Sequence, residues 1–115
     1  MSNPYHLPNA HHAFVEREKI TEYLLNPAHP DGAGKALFFA AHGFHREDWE
    51  TLADGLRTLA RTALVSKSMA SPHGQKYIID GRMLTPNGKT VMVRTVWIID
   101  EGLDKPRLVT AYPTE

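Results

Sequence analysis

The chain has 115 residues, 13 basic and 13 acidic side chains and no cysteine. That length holds one domain with one hydrophobic core, and the missing cysteine excludes disulfides and zinc–thiolate sites. Zero net charge excludes a general polyanion binder, so any nucleic-acid surface must be local.

The N-terminus MSNPYHLPNAHHAF lacks the basic and apolar regions of a signal peptide. No apolar run approaches the ~18 residues of a membrane span, so the expected location is cytoplasmic, without a membrane partner. Residues 1–13 read as an extended lead-in broken by Pro4 and Pro8, and 14–115 as a single domain. Glu16 to Asn26 reads as a helix carrying Ile20, Tyr23 and Leu24 on one face, stopped by Pro27. The loop NPAHPDGAG follows. A second helix is expected over Lys35 to His42 with Ala36, Phe39 and Ala40 inward, and Gly43 suits the left-handed residue that ends it. The third, Arg46 to Thr62, aligns Trp49, Leu52, Leu56, Leu59 and Ala60 in one apolar stripe. Glu47 and Asp48 open it and Arg57 and Arg61 close it, the order its dipole favours.

After Ala63 the period becomes that of strands. Short strands are expected at Leu64 to Ser66 and Gln75 to Met83, with Ser- and Gly-rich SKSMASPHGQK as a loop between them. The turn Thr85 to Lys89 leads into a strong strand, Thr90 to Ile99. It has Val91, Val93, Thr95, Trp97 and Ile99 on one face and Met92, Arg94, Val96 and Ile98 on the other. Arg107 to Tyr112 is the last strand, with Leu108, Thr110 and Tyr112 at one parity. Short links imply an antiparallel meander. The fold class is α+β, with N-terminal helices packed on a C-terminal antiparallel sheet of about four strands.

Seven histidines invite a metal reading, but the spacing does not support one. His11 and His12 are adjacent, Gly43 breaks the helix between His42 and His45, and there is no HExxH. No metal or other cofactor is expected. His29 and Lys35 flank the loop PDGAG, where glycines allow close backbone approach and a helix N-terminus with a lysine suits a phosphate. The plainer reading is an ordinary interhelical loop. Arg94 lies on an otherwise apolar strand face, where it serves an anion or forms an ion pair with Asp80 or Glu101. Thr110 and Tyr112 set a hydroxyl beside a phenol, or simply close the core edge. Lys67, His73 and Lys76 make a basic flap that could hold an RNA backbone, or a solvated loop.

Three stretches resemble a family of small bacterial proteins of uncharacterised function: EKITEYLLNPAHPDGAGKALFFAAHGF, KYIIDGRMLTPNGKTVMVRTVWIID and PRLVTAYP. The resemblance runs from Ala13 to Pro113, and HPxGxxKAxFF and PRLVTAYP mark it. More distantly, helices followed by an antiparallel sheet are similar to the barnase–EndoU–colicin–RelE group of ribonuclease toxins. Thr110-Ala111-Tyr112-Pro113 looks like the closing motif of EndoU-type nucleases, where the hydroxyl residue and the tyrosine help hold the nucleotide. That resemblance implies a metal-independent cleavage in which the RNA 2′-OH attacks the neighbouring phosphorus and leaves a 2′,3′-cyclic phosphate. It implies His29 as base, Lys35 and Arg94 as stabilisers of the phosphorane, and Tyr112 as a positioning member of the catalytic set. Thr110, Thr95, Lys76 and His73 would bind substrate. EndoU enzymes pair two histidines with a lysine, whereas here only His29 lies in such a setting and His73 is the second candidate.

Two readings therefore stand. One is a toxin-type endoribonuclease acting on RNA. The other is a non-enzymatic interaction module, an antitoxin- or immunity-like protein or a phage-encoded inhibitor, using a sheet edge or groove. A small-molecule or nucleotide-processing enzyme would use the same residues. Convergence of His29, Lys35, Arg94, Thr110 and Tyr112 in one cleft favours catalysis, and scatter favours the module.

Overall fold

The structure is a computed structural model and describes residues 5–114, so Pro4 lies outside the described residues. A 3-10 turn, Ala10–His12, precedes α1, Arg17–Lys19, which widens into a π turn, Ile20–Leu24. Helix α2 spans Ala33–Ala41, and a 3-10 turn at Arg46–Asp48 leads into α3, Trp49–Thr62. The strands are β1 Val65–Ser71, β2 Gly74–Leu84, β3 Thr90–Asp100 and β4 Arg107–Pro113. They form one sheet in the order β1-β2-β3-β4, antiparallel at every pairing. The α+β arrangement expected from the sequence is the one observed.

The apolar stripe of α3 buries Leu52, Ala53, Leu56, Leu59 and Ala60, with Trp49 packed at its margin. In α2 the inward residues are Ala36 and Phe39, whereas Ala40, expected inward, is exposed. One step of the helix past the fully buried Phe39 turns it to solvent. Gly43 ends this segment at φ 95°, the left-handed conformation expected of it. The first helix is shorter than its apolar spacing suggests. Its bonding widens so that the Leu25 N–H donates to the Ile20 carbonyl at 2.8 Å, a π pattern that keeps Ile20 and Leu24 in the core.

Two stretches differ from expectation because long-range pairing outweighs local propensity. Within the lead-in, the described residues 5–13 are tied down. Leu7 and Ala13 are buried, the Tyr5 carbonyl accepts from the Val65 N–H at 2.8 Å, and Phe14 forms a parallel bridge with Arg107. The SKSMASPHGQK stretch is a hairpin rather than a loop, with Ser68 opposite Tyr77 and Met69 opposite Lys76.

Residues paired across the sheet share a face. Ile79, Val93, Trp97, Leu108 and Ala111 are buried beneath the helices. The opposite face carries Lys67, Lys76, Arg82, Arg94 and Arg107, with Asp80 and Asp100 as its carboxylates. Each of those carboxylates is taken by an arginine: Asp80 by Arg94, and Asp100 by Arg107. Arg107 holds Asp100 with two bonds of 3.1 and 2.9 Å and reaches Glu16 at 3.7 Å, so it ties β4 to β3 and to the entry of α1.

Phe39→Ala is expected to lower unfolding free energy by ~3–5 kcal/mol in urea titration, the usual cost of emptying a fully buried aromatic site. The hydrogen bonds and charge of Arg107 hold the Asp100 carboxyl below its ordinary range against the opposing effect of burial. A depressed folded pKa stabilises above the unfolded carboxylate value and stops doing so as pH falls through the folded value. Asp100→Asn should therefore cost stability at neutral pH, and its urea midpoint should converge on wild type in strong acid.

Candidate functional site

The π turn, the PDGAG loop, the start of α2 and strand β4 meet at one edge of the sheet, and Tyr23 is their common contact. Its hydroxyl lies 2.9 Å from Thr110 Oγ1 and accepts a hydrogen bond from Lys35 Nζ at 2.7 Å. Its ring lies edge-on to His29, centroids 4.9 Å apart, with the Lys19 ammonium 5.4 Å from its centroid. The loop closes on Tyr23 because residue 32 is glycine. A Cβ there would stand 2.7 Å from the Tyr23 carbonyl oxygen and 2.9 Å from its ring. Lys35 also donates to the Asp31 carbonyl at 3.2 Å, and its ammonium lies 6.0 Å from the Tyr112 ring centroid.

The other half of the site depends on a bulge. Thr110 pairs with Val96, but Leu108 pairs with Trp97, so Val109 is an extra residue in β4. Leu108, Thr110 and Tyr112 therefore do not share a face, contrary to their sequence parity. Leu108 enters the core, while Thr110 and Tyr112 take the face of Val96 and Arg94. Tyr112 is the cross-strand partner of Arg94, which also makes two bonds to Asp80, at 2.8 and 2.9 Å. Asp80 first, and the Tyr112 phenol second, push the Arg94 guanidinium still further up from its ordinary value.

His29, Lys35 and Thr110 are thus gathered around Tyr23, Arg94 meets Tyr112 across the β3–β4 pair, and the 6.0 Å approach of the Lys35 ammonium to the Tyr112 ring joins the two groups. A groove of about 580 Å³ opens beside Tyr23, His29, Val109 and Thr110, and a second of about 480 Å³ beside Lys35, Tyr112 and Gly34. Glu16, Glu18, Glu22 and Asp31 line the first, so it is acidic while the sheet face next to it is basic. Three expected substrate-binding residues lie elsewhere. Thr95 is fully buried on the helix side, donating to the Ile79 carbonyl and accepting from Trp97 Nε1, both at 2.9 Å, which closes it to any substrate. His73 sits in the β1–β2 turn beside the Gly74–Asp100 pair, roughly 20 Å along β3 from Arg94 at ~3.4 Å per residue. Lys76 shares the face of Arg94 but stands opposite Ile98.

His29 also offers a different chemistry from the base expected of it. Its Nδ1 accepts the Asp31 N–H at 3.0 Å, so the neutral ring carries its proton on Nε2 and presents a donor. Tyr23 is the residue the sequence did not single out, because its helical spacing with Ile20 and Leu24 reads as core. Burial pushes its phenol up. The hydrogen bonds from Lys35 and Thr110, with the charges of Lys35 and Lys19, outweigh that and leave it below the ordinary tyrosine value. Among the described residues, no group of three or more His, Asp or Glu side chains is placed to hold a metal ion.

Helices followed by a four-stranded meander, with a polar cleft where the first helices meet the last strand, define the class of fold. The chain belongs to the family described as a domain of unknown function, DUF6883, which matches residues 6–115. No curated protein matches it. A solved structure with a similar fold is a chain of the contact-dependent growth inhibition toxin–immunity protein complex from Klebsiella pneumoniae 342. That chain is 14% identical with a TM-score of 0.71, and the match covers 92% of this chain and 97% of that one. At such identity the likeness speaks for the fold alone. Among the described residues no helix is long and apolar enough to cross a membrane.

Lys35→Met removes both a hydrogen bond and a positive charge from the Tyr23 hydroxyl. Ultraviolet titration, with Tyr23→Phe subtracted to isolate this phenol, should show its pKa rising toward the ordinary tyrosine value. An unmoved titration would mean that Lys35 does not govern the phenol.

Proposed function

We propose that this protein is a metal-independent endoribonuclease of the toxin type, cleaving RNA by attack of the 2′-OH on the adjacent phosphorus. The observation that carries the reading is the lysine–phenol–hydroxyl cluster, Lys35, Tyr23 and Thr110, at the margin of a basic sheet face. Transphosphorylation needs a proton acceptor, a proton donor and charge to stabilise the phosphorane, and each can come from side chains here. Lys35 supplies a fixed ammonium. His29 supplies a hydrogen-bond donor at Nε2 for a phosphate oxygen. The groove of Lys35, Gly34 and Tyr112, which the acidic side chains of the first helix do not line, has room for a nucleotide. Lys67, Lys76 and Arg82 provide a local track for the phosphate backbone in a chain of zero net charge. The fold likeness to a chain from a toxin–immunity complex fits this role and suggests a cognate immunity protein as a second partner.

The same likeness supports the alternative of an immunity-like binding module, since the solved complex contains both kinds of protein. Incubating purified protein with total RNA in EDTA separates the two. The ribonuclease reading expects fragments ending in 2′,3′-cyclic phosphate and a rate loss of ~10²–10³ for Lys35→Ala, the scale for losing one preorganised charge donor. Intact RNA after incubation with well-folded wild type would sink it and leave the binding module.

A further inference from the structure

The bonding of His29 leaves the cluster without an imidazole base. Its Nδ1 lone pair is taken by the Asp31 N–H, and the neutral ring has no second acceptor nitrogen. The acid–base work must fall to other groups at the two grooves, and a tyrosine stands in each. Lys35 lies between them. Two of its three N–H donors go to the Tyr23 hydroxyl and the Asp31 carbonyl, and the third has no partner among the described residues.

Resting on the ribonuclease reading above, we propose that Tyr23 is the general base and Tyr112 the general acid of the cleavage, with a phosphate held between them on Lys35. The Tyr23 phenolate, held by Lys35 and Thr110, accepts the proton of the 2′-OH as the 2′-oxygen bonds to phosphorus. The bond from phosphorus to O5′ breaks, and O5′ takes the proton of the Tyr112 phenol. The Tyr112 phenolate so formed lies beside the Arg94 guanidinium, its cross-strand neighbour. Tyr23 then loses a proton to solvent and Tyr112 regains one, which restores both. The charged and titratable groups at the groove of the Tyr23 phenol are Lys19, Lys35 and His29 with the carboxylates Glu16, Glu18, Glu22 and Asp31. The lysines favour the phenolate and the carboxylates oppose it. Against burial, the hydrogen bonds of Lys35 and Thr110 and the charges of Lys35 and Lys19 keep the phenol below its ordinary value.

The test uses the whole chain and an RNA containing a mapped cut site, compared with the same RNA carrying sulfur in place of the bridging O5′ there. A thiolate leaves without an acid. On ordinary RNA, Tyr23→Phe and Tyr112→Phe should each lose ~10²–10⁴ in kcat, the range for a general acid or base. Tyr23→Phe should also lose the ascending limb of the pH–rate profile. The sulfur-substituted RNA should return Tyr112→Phe toward the wild-type rate and leave Tyr23→Phe slow. Thr110→Val, which leaves both phenols in place, should shift the ascending limb to higher pH because the phenolate has lost a donor. Rescue of both phenylalanine variants, rescue of neither, or a Tyr23→Phe protein with wild-type kcat overturns the assignment while the ribonuclease reading survives. Wild type that cuts no RNA overturns both.

Discussion

Strand β4 accommodates Val109 as a bulge, and that one extra residue sets the direction of every functional side chain after it. With the bulge, Leu108 faces the helices opposite Trp97, and Thr110 and Tyr112 leave on the other face beside Val96 and Arg94. Without it, Leu108 and Tyr112 would share a face, and either the core would lose a fully buried leucine or the site would lose its phenol. The bulge is held in register by Ala111, buried opposite Thr95, and by Arg107, clamped to Asp100 at the start of the strand. The core and the site therefore depend on the same irregularity.

Tyr23 joins the helical half to that strand. The π turn leaves Ile20 and Leu24 in the core and carries the phenol to the sheet edge, where Thr110 and Lys35 share it. A partly buried phenol with two polar partners avoids the cost of an unmatched polar group, and no buried side-chain polar atom among the described residues lacks a partner. The ammonium of Lys35 is fixed by the same bonds, which lowers the ordering cost when an anion arrives. Gly32 makes this closeness feasible, since any larger residue would push the loop off the tyrosine.

The balanced charge of the chain conceals an uneven surface. Acidic side chains gather at the groove of the first helix, and basic ones on the sheet face that the helices leave uncovered. Each carboxylate on that face is neutralised by an arginine, so Lys67, Lys76 and Arg82 set its sign. A polyanion would meet attraction on the sheet and repulsion at the helical groove. That pattern orients a strand as well as attracting it, and the attraction weakens as salt screens it.

The sequence by itself determined the order of elements. Apolar spacing in α3, alternation in β3 and the Thr85–Lys89 turn are local properties, each resting on the geometry of its own segment. It also marked His29, Lys35, Arg94, Thr110 and Tyr112, residue types whose chemistry is unusual where they stand. Other features were decided by tertiary structure. A bulge has no signature in parity, so the faces of β4 could not be read. Hydrogen bonding across the sheet made a strand of the Ser-rich SKSMAS and drew the lead-in into the core. Thr95 looked like a substrate ligand until packing under the helices closed it off. Tyr23 looked like core because spacing reports which face a residue takes, while its hydroxyl's partners, Lys35 and Thr110, are 12 and 87 residues away along the chain. Contacts at such separations are set when the chain closes on itself, and local pattern carries no record of them.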